Sequence, residues 1–469
     1  MKPRLIIVGA GLGGCCLADA MAESWDVTMI ELRTSDEKFP QWIEDVGRPA
    51  VTHPHVGHGL GGTTALWHNG LIEVDSDIFD QYWPFSKSEL KPYYAAAFSK
   101  LSGVTLGAVT HIAATLKQKL HAIGVPLELM GQSLYYPRRR INVWKHFSLA
   151  SRVSLIEGEV SGFLPDDATG IRGVVVRRGD VDLQVEGDFF VLAAGGLGTP
   201  ILIQKLAQFI SSIAMQHAGR HYEDHPTGFV AEVTLEAPFY KFWNYSPPAL
   251  KGNLRMPVVV KQDGLQVSFQ VRPAAQFRPR NKLSSMLNEL RNEPFNMKNY
   301  LRLLGHADDI LDILSFRFGL RWPTKRYSLL MVAQQPPEND VVVWRDPAKA
   351  TILRKWTLPN AYLTTLERAI HTVIDQLGCK GSANIFANWA AELKSSAHHS
   401  GTARMHCSPD SGVCDGNARV YGLRNLFVCD GSLIPSSGYA NTGLTIAALA
   451  LRLAQHLKQN AEGSQNAVG

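Results

Sequence analysis

Three glycines near the beginning of the chain have the spacing of a phosphate-binding turn. Gly9, Gly11 and Gly14 form the pattern GxGxxG directly after the apolar residues 5–8. The first glycine permits a tight turn, the second lets a pyrophosphate approach the backbone, and the third lets a helix pack on the preceding strand. The N–H groups at the start of that helix then face the phosphates. The motif therefore predicts binding of a dinucleotide.

An acidic residue follows at the place where a ribose would lie. The helix predicted after the glycine turn ends near residue 23, and residues 27–30 form a second apolar strand pattern that ends at Glu31. A carboxylate there can accept hydrogen bonds from both ribose hydroxyls and repels a 2′-phosphate. We therefore expect FAD or NAD rather than NADP, and the glycine pattern alone does not distinguish the first two. A secretory signal is the alternative interpretation of this segment, because Lys2 and Arg4 precede the apolar stretch.

The overall composition argues against several classes of protein. The chain has 469 residues, of which 45% are hydrophobic and 19% charged, and this length allows two or three domains. A net charge of only +5 and the lack of a basic tail give no support for nucleic-acid binding. Six cysteines form no CxxC pair, so we expect no metal site and a cytoplasmic location. No apolar run reaches the roughly 18 residues that span a bilayer.

Strand and helix patterns alternate along the chain. After the βαβ unit, helical patterns cover residues 85–123, 360–378 and 442–458, and strand patterns cover residues 153–191, 226–275 and 327–345. Residues 272–326 stand apart because they contain eleven basic and five acidic residues between apolar ones. We interpret this basic helical arm either as an ordinary amphipathic lid or as a docking site for an anionic membrane surface or carrier protein.

Several further segments have the order and spacing of one known family. A second glycine-rich segment covers residues 59–70, a strand-to-loop segment covers 191–200, and the sequence GRHYEDHP covers 219–226. A C-terminal block follows, which contains the HxxGT pattern that begins at His398, the DGS pattern at 430–432 and the pair Asn441-Thr442. With the first glycine motif, these segments resemble the glucose-methanol-choline (GMC) oxidoreductases. The middle of the chain matches them loosely, chiefly at residues 335–341.

The resemblance implies both a fold and a cofactor. The fold would be α/β, with a Rossmann-like FAD-binding domain and a second α+β substrate domain built on an antiparallel sheet. The FAD-binding domain would comprise residues 1–225, with a helical excursion at about 85–150, and residues 395–460; the substrate domain would comprise residues 226–394, including the arm 272–326. The implied contacts to FAD come from Gly9, Gly11, Gly14, Glu31, Gly62, Thr63, Asn69, Gly70, Val160, Asp430, Gly431 and Thr442.

The resemblance also implies a catalytic pair. A hydride leaves a carbinol carbon easily when the hydroxyl loses its proton at about the same time, and imidazole is a suitable base at neutral pH. His398 matches the base of the family, and Asn441 matches its hydrogen-bonding partner, whose amide can stabilise a developing alkoxide. The implied activity is oxidation of a small-molecule alcohol to an aldehyde or ketone, with hydride transfer to FAD. The electron acceptor, O2 or another, stays open.

Alternative interpretations stay open at this stage. His398 could be an exposed loop residue, or the neighbouring His399 could be the base. His68 stands in the segment where some family members attach FAD covalently. A flavin-dependent lyase or decarboxylase, a tailoring dehydrogenase acting on a carrier- or membrane-presented substrate, and a non-catalytic flavin-binding protein are the rival functions.

Overall fold

A computed structural model describes most of the chain. The described residues are 2–32, 43–47, 56–57, 59–210, 213–235, 245–273, 290, 292–304, 310, 325–336, 343–345 and 352–466. The helices are α1 (Leu12–Met21), α2 (Ser76–Tyr82), α3 (Lys87–Ser102), α4 (Leu106–His121), α5 (Val143–His146), α6 (Gly195–Leu206), α7 (Met297–Leu304), α8 (Asn360–Gln376), α9 (Trp389–Glu392) and α10 (Thr442–Asn466). No described helix combines the length and the apolarity that crossing a membrane requires.

The strands alternate with these helices. They are β1 (Arg4–Val8), β2 (Asp26–Glu31), β3 (Ile43–Gly47), β4 (Leu134–Pro137), β5 (Ser154–Glu157), β6 (Glu159–Asp167), β7 (Gly170–Arg178), β8 (Val181–Glu186), β9 (Phe189–Leu192), β10 (Pro226–Thr234), β11 (Gly252–Arg255), β12 (Val258–Gln262), β13 (Leu265–Pro273), β14 (Arg326–Ala333), β15 (Val343–Arg345), β16 (Ile352–Trp356), β17 (Asn384–Ile385), β18 (Lys394–Ser395) and β19 (Leu426–Val428).

A five-stranded parallel sheet positions the predicted cofactor residues. Its strand order is β19-β9-β1-β2-β5, so residues from both ends of the chain lie in one sheet. The central strand β1 is buried from Leu5 to Val8, as its unbroken apolar run predicts for a parallel strand covered on both faces. Helix α1 packs against α10, which in turn packs against α3. The parallel sheet and its helices form the Rossmann-like part of the molecule.

An antiparallel sheet forms the second large layer. Its order is β12-β13-β14-β10-β17, and β18 also pairs with β10. Smaller sheets are formed by β6-β7-β8, by β4-β11 and by β15-β16-β3. The expected α/β fold with an antiparallel second layer is therefore confirmed. Within the arm 272–326, residues 297–304 form α7, whereas Arg272 and Arg326 lie in strands β13 and β14; most of the rest lies outside the described residues.

Helix α6 begins where sequence reasoning expected a loop. Gly195 is the first residue of the helix, and Pro200 lies inside it. Proline has no N–H for the carbonyl four residues earlier, so the Gly196 oxygen loses its helical donor. The Thr402 hydroxyl donates to that oxygen at 2.6 Å. The HxxGT pattern thus stabilises a helix that begins at the parallel sheet.

Candidate active site

The dinucleotide turn has the backbone that its glycines require. Gly9 has φ of +110°, and a Cβ there would overlap the carbonyl oxygen of Ala193. A Cβ on Gly14 would overlap the carbonyl oxygen of Gly9, so helix α1 packs closely on the turn. Gly11 is the N-cap of α1 and has no side chain to cap it. The N-terminal end of α1 can therefore donate backbone hydrogen bonds to a pyrophosphate.

Replacing Gly9 with alanine should prevent FAD binding and destabilise the protein. The new methyl group meets the Ala193 oxygen while the backbone stays at a φ that alanine disfavours, a strain of about 1–3 kcal/mol before the overlap is counted. Bound FAD measured by absorbance and the urea midpoint are the readouts. Gly107→Ala is the matched control, because Gly107 lies in α4 with nothing within 4 Å of a new Cβ, and the helix should gain about 1 kcal/mol. Equal FAD content in all three proteins would contradict the role of the turn.

Glu31 and Val160 lie near the same end of β2. The Glu31 carboxylate accepts the N–H of Ala10 at 2.7 Å through Oε2 and the N–H of Leu32 at 3.0 Å through Oε1. The carboxylate is thus fixed beside the glycine turn. The Glu31 carbonyl accepts the N–H of Gly158, two residues before Val160, whose own carbonyl accepts Lys205 Nζ at 3.0 Å.

The second glycine segment contacts the first. A Cβ on Gly62 would lie 2.9 Å from the Cα of Gly11, so the two turns meet backbone to backbone. The hydroxyl of Thr63 accepts the N–H of Gly57 at 3.2 Å. Asn69 has φ of +54°, and its Nδ2 donates to the carbonyl oxygen of Arg139. Its buried Oδ1 has no hydrogen-bond partner among the described residues. A buried acceptor with no donor fits a bound polar ring at this position.

The C-terminal residues predicted to bind the cofactor also reach the parallel sheet. Asp430 accepts the Gly195 N–H at 2.8 Å and the Ser432 N–H at 2.8 Å, and burial raises its pKa although these donors partly offset the effect. A Cβ on Gly431 would lie 2.6 Å from the carbonyl oxygen of His399. Thr442 is buried at the start of α10. The segments that contain the predicted cofactor residues therefore converge on β1, β9 and α1.

His398 forms a pair with a second histidine. The Nδ1 atoms of His398 and His225 are 3.1 Å apart, and Nε2 of His225 is 3.0 Å from the Ser437 hydroxyl. Burial lowers the pKa of His398, partly offset by Asp224, and burial with the neighbouring His398 lowers the pKa of His225 to about 3. Both rings are therefore neutral near pH 7, and one hydrogen lies between the two Nδ1 atoms. Sequence reasoning included His225 in a motif but gave it no role.

A buried carboxylate fixes the backbone of this pair. Asp224 Oδ1 accepts the N–H groups of His225 at 2.7 Å and His398 at 3.1 Å. Its Oδ2 accepts hydroxyl groups of Tyr222 and Ser395. Burial alone would raise the pKa of Asp224, but the adjacent histidines, Arg354 and Ser395 lower it to about 2. Asp224 is thus an anion at any neutral pH.

His399 and Arg354 complete that network. His399 Nδ1 is 2.8 Å from the Tyr222 hydroxyl and 3.8 Å from Asp224 Oδ2, and its side chain is only 8% exposed. Arg354 donates to the same hydroxyl at 2.9 Å and lies 4.0 Å from Asp224 Oδ2, with both charged side chains fully buried. No sequence motif pointed to Arg354, which comes from β16 far along the chain. His399 therefore occupies a structural position behind His398.

Asn441 is fixed by the second glycine segment. Its Nδ2 donates to the carbonyl oxygen of Gly70 at 3.3 Å, and Gly70 has no room for a Cβ against this amide. Ser437, which hydrogen-bonds to His225, precedes Asn441 by four residues in the turn before α10. The His398–His225 pair is thus connected to the short segment that contains Asn441.

Comparison with known proteins finds a family match in the C-terminal part of the chain. Residues 361–450, which include His398 and Asn441, match a family model described as GMC oxidoreductase. This part of the chain is similar to the GMC oxidoreductases, as the motifs of the sequence predict. A cholesterol oxidase of Acinetobacter baumannii is 41% identical over 61 residues, 13% of this chain and 11% of that protein. A C-glycoside 3-oxidase of Microbacterium trichothecenolyticum is 31% identical over 103 residues, 22% of this chain and 20% of that protein. The aligned regions thus span a fifth or less of these relatives.

Solved structures match this chain over nearly its whole length. Pyridoxine 4-oxidase from Mesorbium loti has a TM-score of 0.66 at 16% identity, covering 98% of this chain and 99% of that one. An FAD-dependent oxidoreductase from Chaetomium thermophilum has a TM-score of 0.58 at 16% identity, covering 98% and 100%. These likenesses show the shared fold. The expectation of FAD is confirmed at the level of the family.

Proposed function

We propose that this protein is a GMC oxidoreductase that oxidises an alcohol to an aldehyde or ketone, with His398 as general base and Asn441 as hydrogen-bond donor. The observation that supports this most directly is the 3.1 Å contact between Nδ1 of His398 and Nδ1 of His225. A base must present a lone pair, so the hydrogen of neutral His398 has to be on the other ring nitrogen. His225 offers the acceptor that holds it there.

The tautomers follow from this requirement. His398 Nδ1–H donates to His225 Nδ1, and the hydrogen of His225 then lies on Nε2 and donates to Ser437 at 3.0 Å. His398 Nε2 is left with its lone pair and accepts the hydroxyl proton of the substrate. The resulting imidazolium is stabilised by the anion of Asp224, which also fixes the backbone of both histidines.

Asn441 supplies the second contact to the substrate oxygen. One hydrogen of its Nδ2 is used by the Gly70 carbonyl, and the other is free to bind the oxygen as it gains negative charge. An amide does not titrate, so the proposed pair contains one group that responds to pH.

FAD, when bound, supplies the acceptor of the hydride. Gly9, Gly11 and the N-terminal end of α1 would hold its pyrophosphate, Glu31 its adenine-side ribose, and Asn69 its ring through the buried Oδ1. Backbone contact between Gly62 and Gly11 supports this assignment, because it leaves the two glycine turns side by side.

Anaerobic reduction of the flavin by alcohols tests the proposal. Purified protein loaded with FAD should lose the absorbance of oxidised flavin when a suitable alcohol from a panel of sugar, sterol, aliphatic and aromatic classes is added without O2. Readmitting O2 then tests oxidase activity, which the oxidases among the relatives make the first acceptor to examine. The proposal would be contradicted if the purified protein did not bind FAD, or if no alcohol in the panel reduced the bound flavin. Product formed without flavin reduction would favour a lyase or decarboxylase.

We also propose that the protein works in the cytoplasm. All six cysteines are free, and five of them are buried. Free thiols fit a reducing compartment. Mass spectrometry of alkylated protein from cells should find no disulfide-linked peptides.

A further inference from the structure

A buried glutamate lies between the two segments that contain the proposed catalytic pair. Glu223 is fully buried, and it precedes Asp224 and His225 in the chain. The reaction proposed for His398 and Asn441 does not use its carboxyl group. A carboxyl group is costly to remove from water unless it forms hydrogen bonds, so the contacts of Glu223 indicate what it does.

The main chain of Glu223 is fixed to the segment that contains His398. Its N–H donates to the carbonyl oxygen of Ser400 at 3.0 Å, and its own carbonyl oxygen accepts the N–H of Ser400 at 3.0 Å. The Ser400 hydroxyl donates to the same carbonyl oxygen at 3.2 Å. Ser400 is fully buried and follows His398 by two residues. These hydrogen bonds therefore hold Glu223 close to the proposed base.

The side chain of Glu223 reaches the segment that contains Asn441. Its Oε1 accepts the hydroxyl of Ser436 at 3.0 Å and the N–H of Ser437 at 3.4 Å. Both serines are buried, so water does not replace these contacts. The Ser436 hydroxyl in turn accepts the N–H of Gly438 at 3.4 Å. The carboxyl group therefore fixes the turn that leads to Asn441.

The contact to the two serines does not require a charge. Burial raises the pKa of Glu223 well above its ordinary value of 4.5, and Asp224 raises it further, although Ser436 and Ser437 oppose the shift. Burial thus favours the neutral acid. Because Oε1 accepts both serine donors, the hydrogen of the neutral acid belongs on Oε2, which is buried without a hydrogen-bond partner among the described residues. Glutamine, which is also neutral, can make the same contact through its oxygen.

We propose that Glu223 is a positioning residue that holds Asn441 in place relative to His398. Its main chain fixes it to Ser400, and its carboxyl group fixes the turn before Asn441. This role rests on the proposed function, in which both side chains meet one alcohol oxygen. Misplacement of a reacting group by about 1 Å can slow an enzyme about 10²-fold, so a fixed distance between the two segments matters for the rate. Glu223 takes no part in the bonds made and broken.

Two substitutions of Glu223 test this role kinetically. Glu223→Met keeps the approximate length of the side chain but removes its oxygens, so the limiting rate of anaerobic flavin reduction should fall about 10²-fold while FAD stays bound. Glu223→Gln keeps an acceptor at Oε1 and should restore a rate close to that of the wild type. The alcohol concentration at half-saturation should change far less than the limiting rate, because alignment matters chiefly in the transition state.

Leu120→Ala is the matched control for lost stability. Leu120 is fully buried in α4, and its truncation should lower the urea midpoint through the cavity that it leaves. Flavin reduction should stay at the wild-type rate. A loss of rate equal to that of Glu223→Met would assign both effects to instability and overturn the positioning role. If Glu223→Met does not fold, Ser436→Ala removes one of the two donors to Oε1 and should slow reduction about tenfold.

Hydrogen exchange measures the same contact without any alcohol. In FAD-loaded protein, Glu223→Met should speed amide exchange in peptides that cover residues 436–441, because the turn loses the acceptor that holds it. Glu223→Gln should keep the wild-type protection of this segment. Leu120→Ala should not single out this segment, since its cavity lies in α4.

The outcomes distinguish this inference from the proposed function. Unchanged exchange at 436–441 in Glu223→Met, or faster exchange there with flavin reduction at the wild-type rate, would overturn the positioning role and leave the alcohol oxidation standing. Faster exchange at 436–441 that is confined to Glu223→Met, together with wild-type flavin that no alcohol reduces, would support the positioning of this segment by Glu223 and contradict the proposed function.

Discussion

Replacing His398 with glutamine is expected to slow flavin reduction by about 10²- to 10⁴-fold while FAD stays bound, because the substrate hydroxyl loses its base. Glutamine is of similar size and can still donate to His225, so the fold should survive. Stopped-flow measurement of flavin reduction under anaerobic conditions gives the rate, and the absorbance spectrum reports the bound FAD. A variant with wild-type reduction rate would remove His398 from the mechanism.

The pH dependence of the wild-type rate should have one rising limb. Burial lowers the pKa of His398 below its ordinary value of 6.5, and Asp224 opposes this only in part. As the pH falls through that lowered pKa, the imidazole becomes protonated and cannot accept the hydroxyl proton. The rate should therefore rise with pH to a plateau, with a midpoint below 6.5, and this limb should disappear in His398→Gln.

His399→Gln is the matched control, since it removes the neighbouring imidazole. The His399 ring lies against Tyr222 and Asp224 and is almost fully buried, so we assign it to the supporting network. Its loss should change the rate far less than the loss of His398 and should leave the pH limb in place. The opposite ranking of the two variants would make His399 the base.

Asp224→Asn should destabilise the protein by about 3–5 kcal/mol, because the variant removes the anion from a fully buried ion pair with Arg354. The two side chains are fully buried, and Tyr222 bridges them through one hydroxyl. The urea midpoint and slope of the FAD-loaded protein measure the change. Arg354→Met in the same chain should recover part of the loss, since it removes the buried charge that paired with Asp224.

Asp182→Asn is the control for Asp224→Asn. Asp182 also pairs with an arginine, Arg177, but both side chains are about half exposed, so water replaces the lost contact. We expect the urea midpoint of Asp182→Asn to be almost the same as that of the wild type. Equal effects of the two substitutions would mean that the buried network adds nothing beyond an exposed ion pair.

The same carboxylate gives stability a definite pH dependence. The pKa of Asp224 in the folded protein is about 2, below its ordinary value of 3.8. The stabilisation is therefore complete above about pH 4 and is lost as the pH falls from there towards 2. Asp224→Asn should show a flatter decline in stability over this window.

Local sequence patterns predicted the elements that are formed by residues close together in the sequence. The glycine turn, Glu31 and strand β1 could be located because strand, turn and helix follow one another within about thirty residues. Helix α6 could not be located in this way. Pro200 has no N–H for the Gly196 carbonyl, and the compensating hydroxyl of Thr402 comes from two hundred residues further along.

The surroundings of the catalytic candidates also depend on residues that are distant in sequence. The resemblance supplied His398 and Asn441, but the partners of His398 depend on where distant segments fold. Asp224 anchors both histidines, and Arg354 reaches the same carboxylate from β16. Contacts between residues far apart in the sequence therefore determine the partners of His398, and local sequence patterns do not predict such contacts.

The strand order of the parallel sheet constrains when the cofactor can be loaded during biosynthesis. Strand β9 lies between β1 and β19. The sheet that supports the glycine turn therefore lacks its edge strand β19 until residue 428 has left the ribosome. Asp430 and Thr442 emerge later still. A nascent chain therefore carries an incomplete nucleotide fold through most of its translation, with apolar strands exposed in the meantime. The predicted nucleotide site can therefore be completed only after the segment that contains Asp430 and Thr442 has been synthesised.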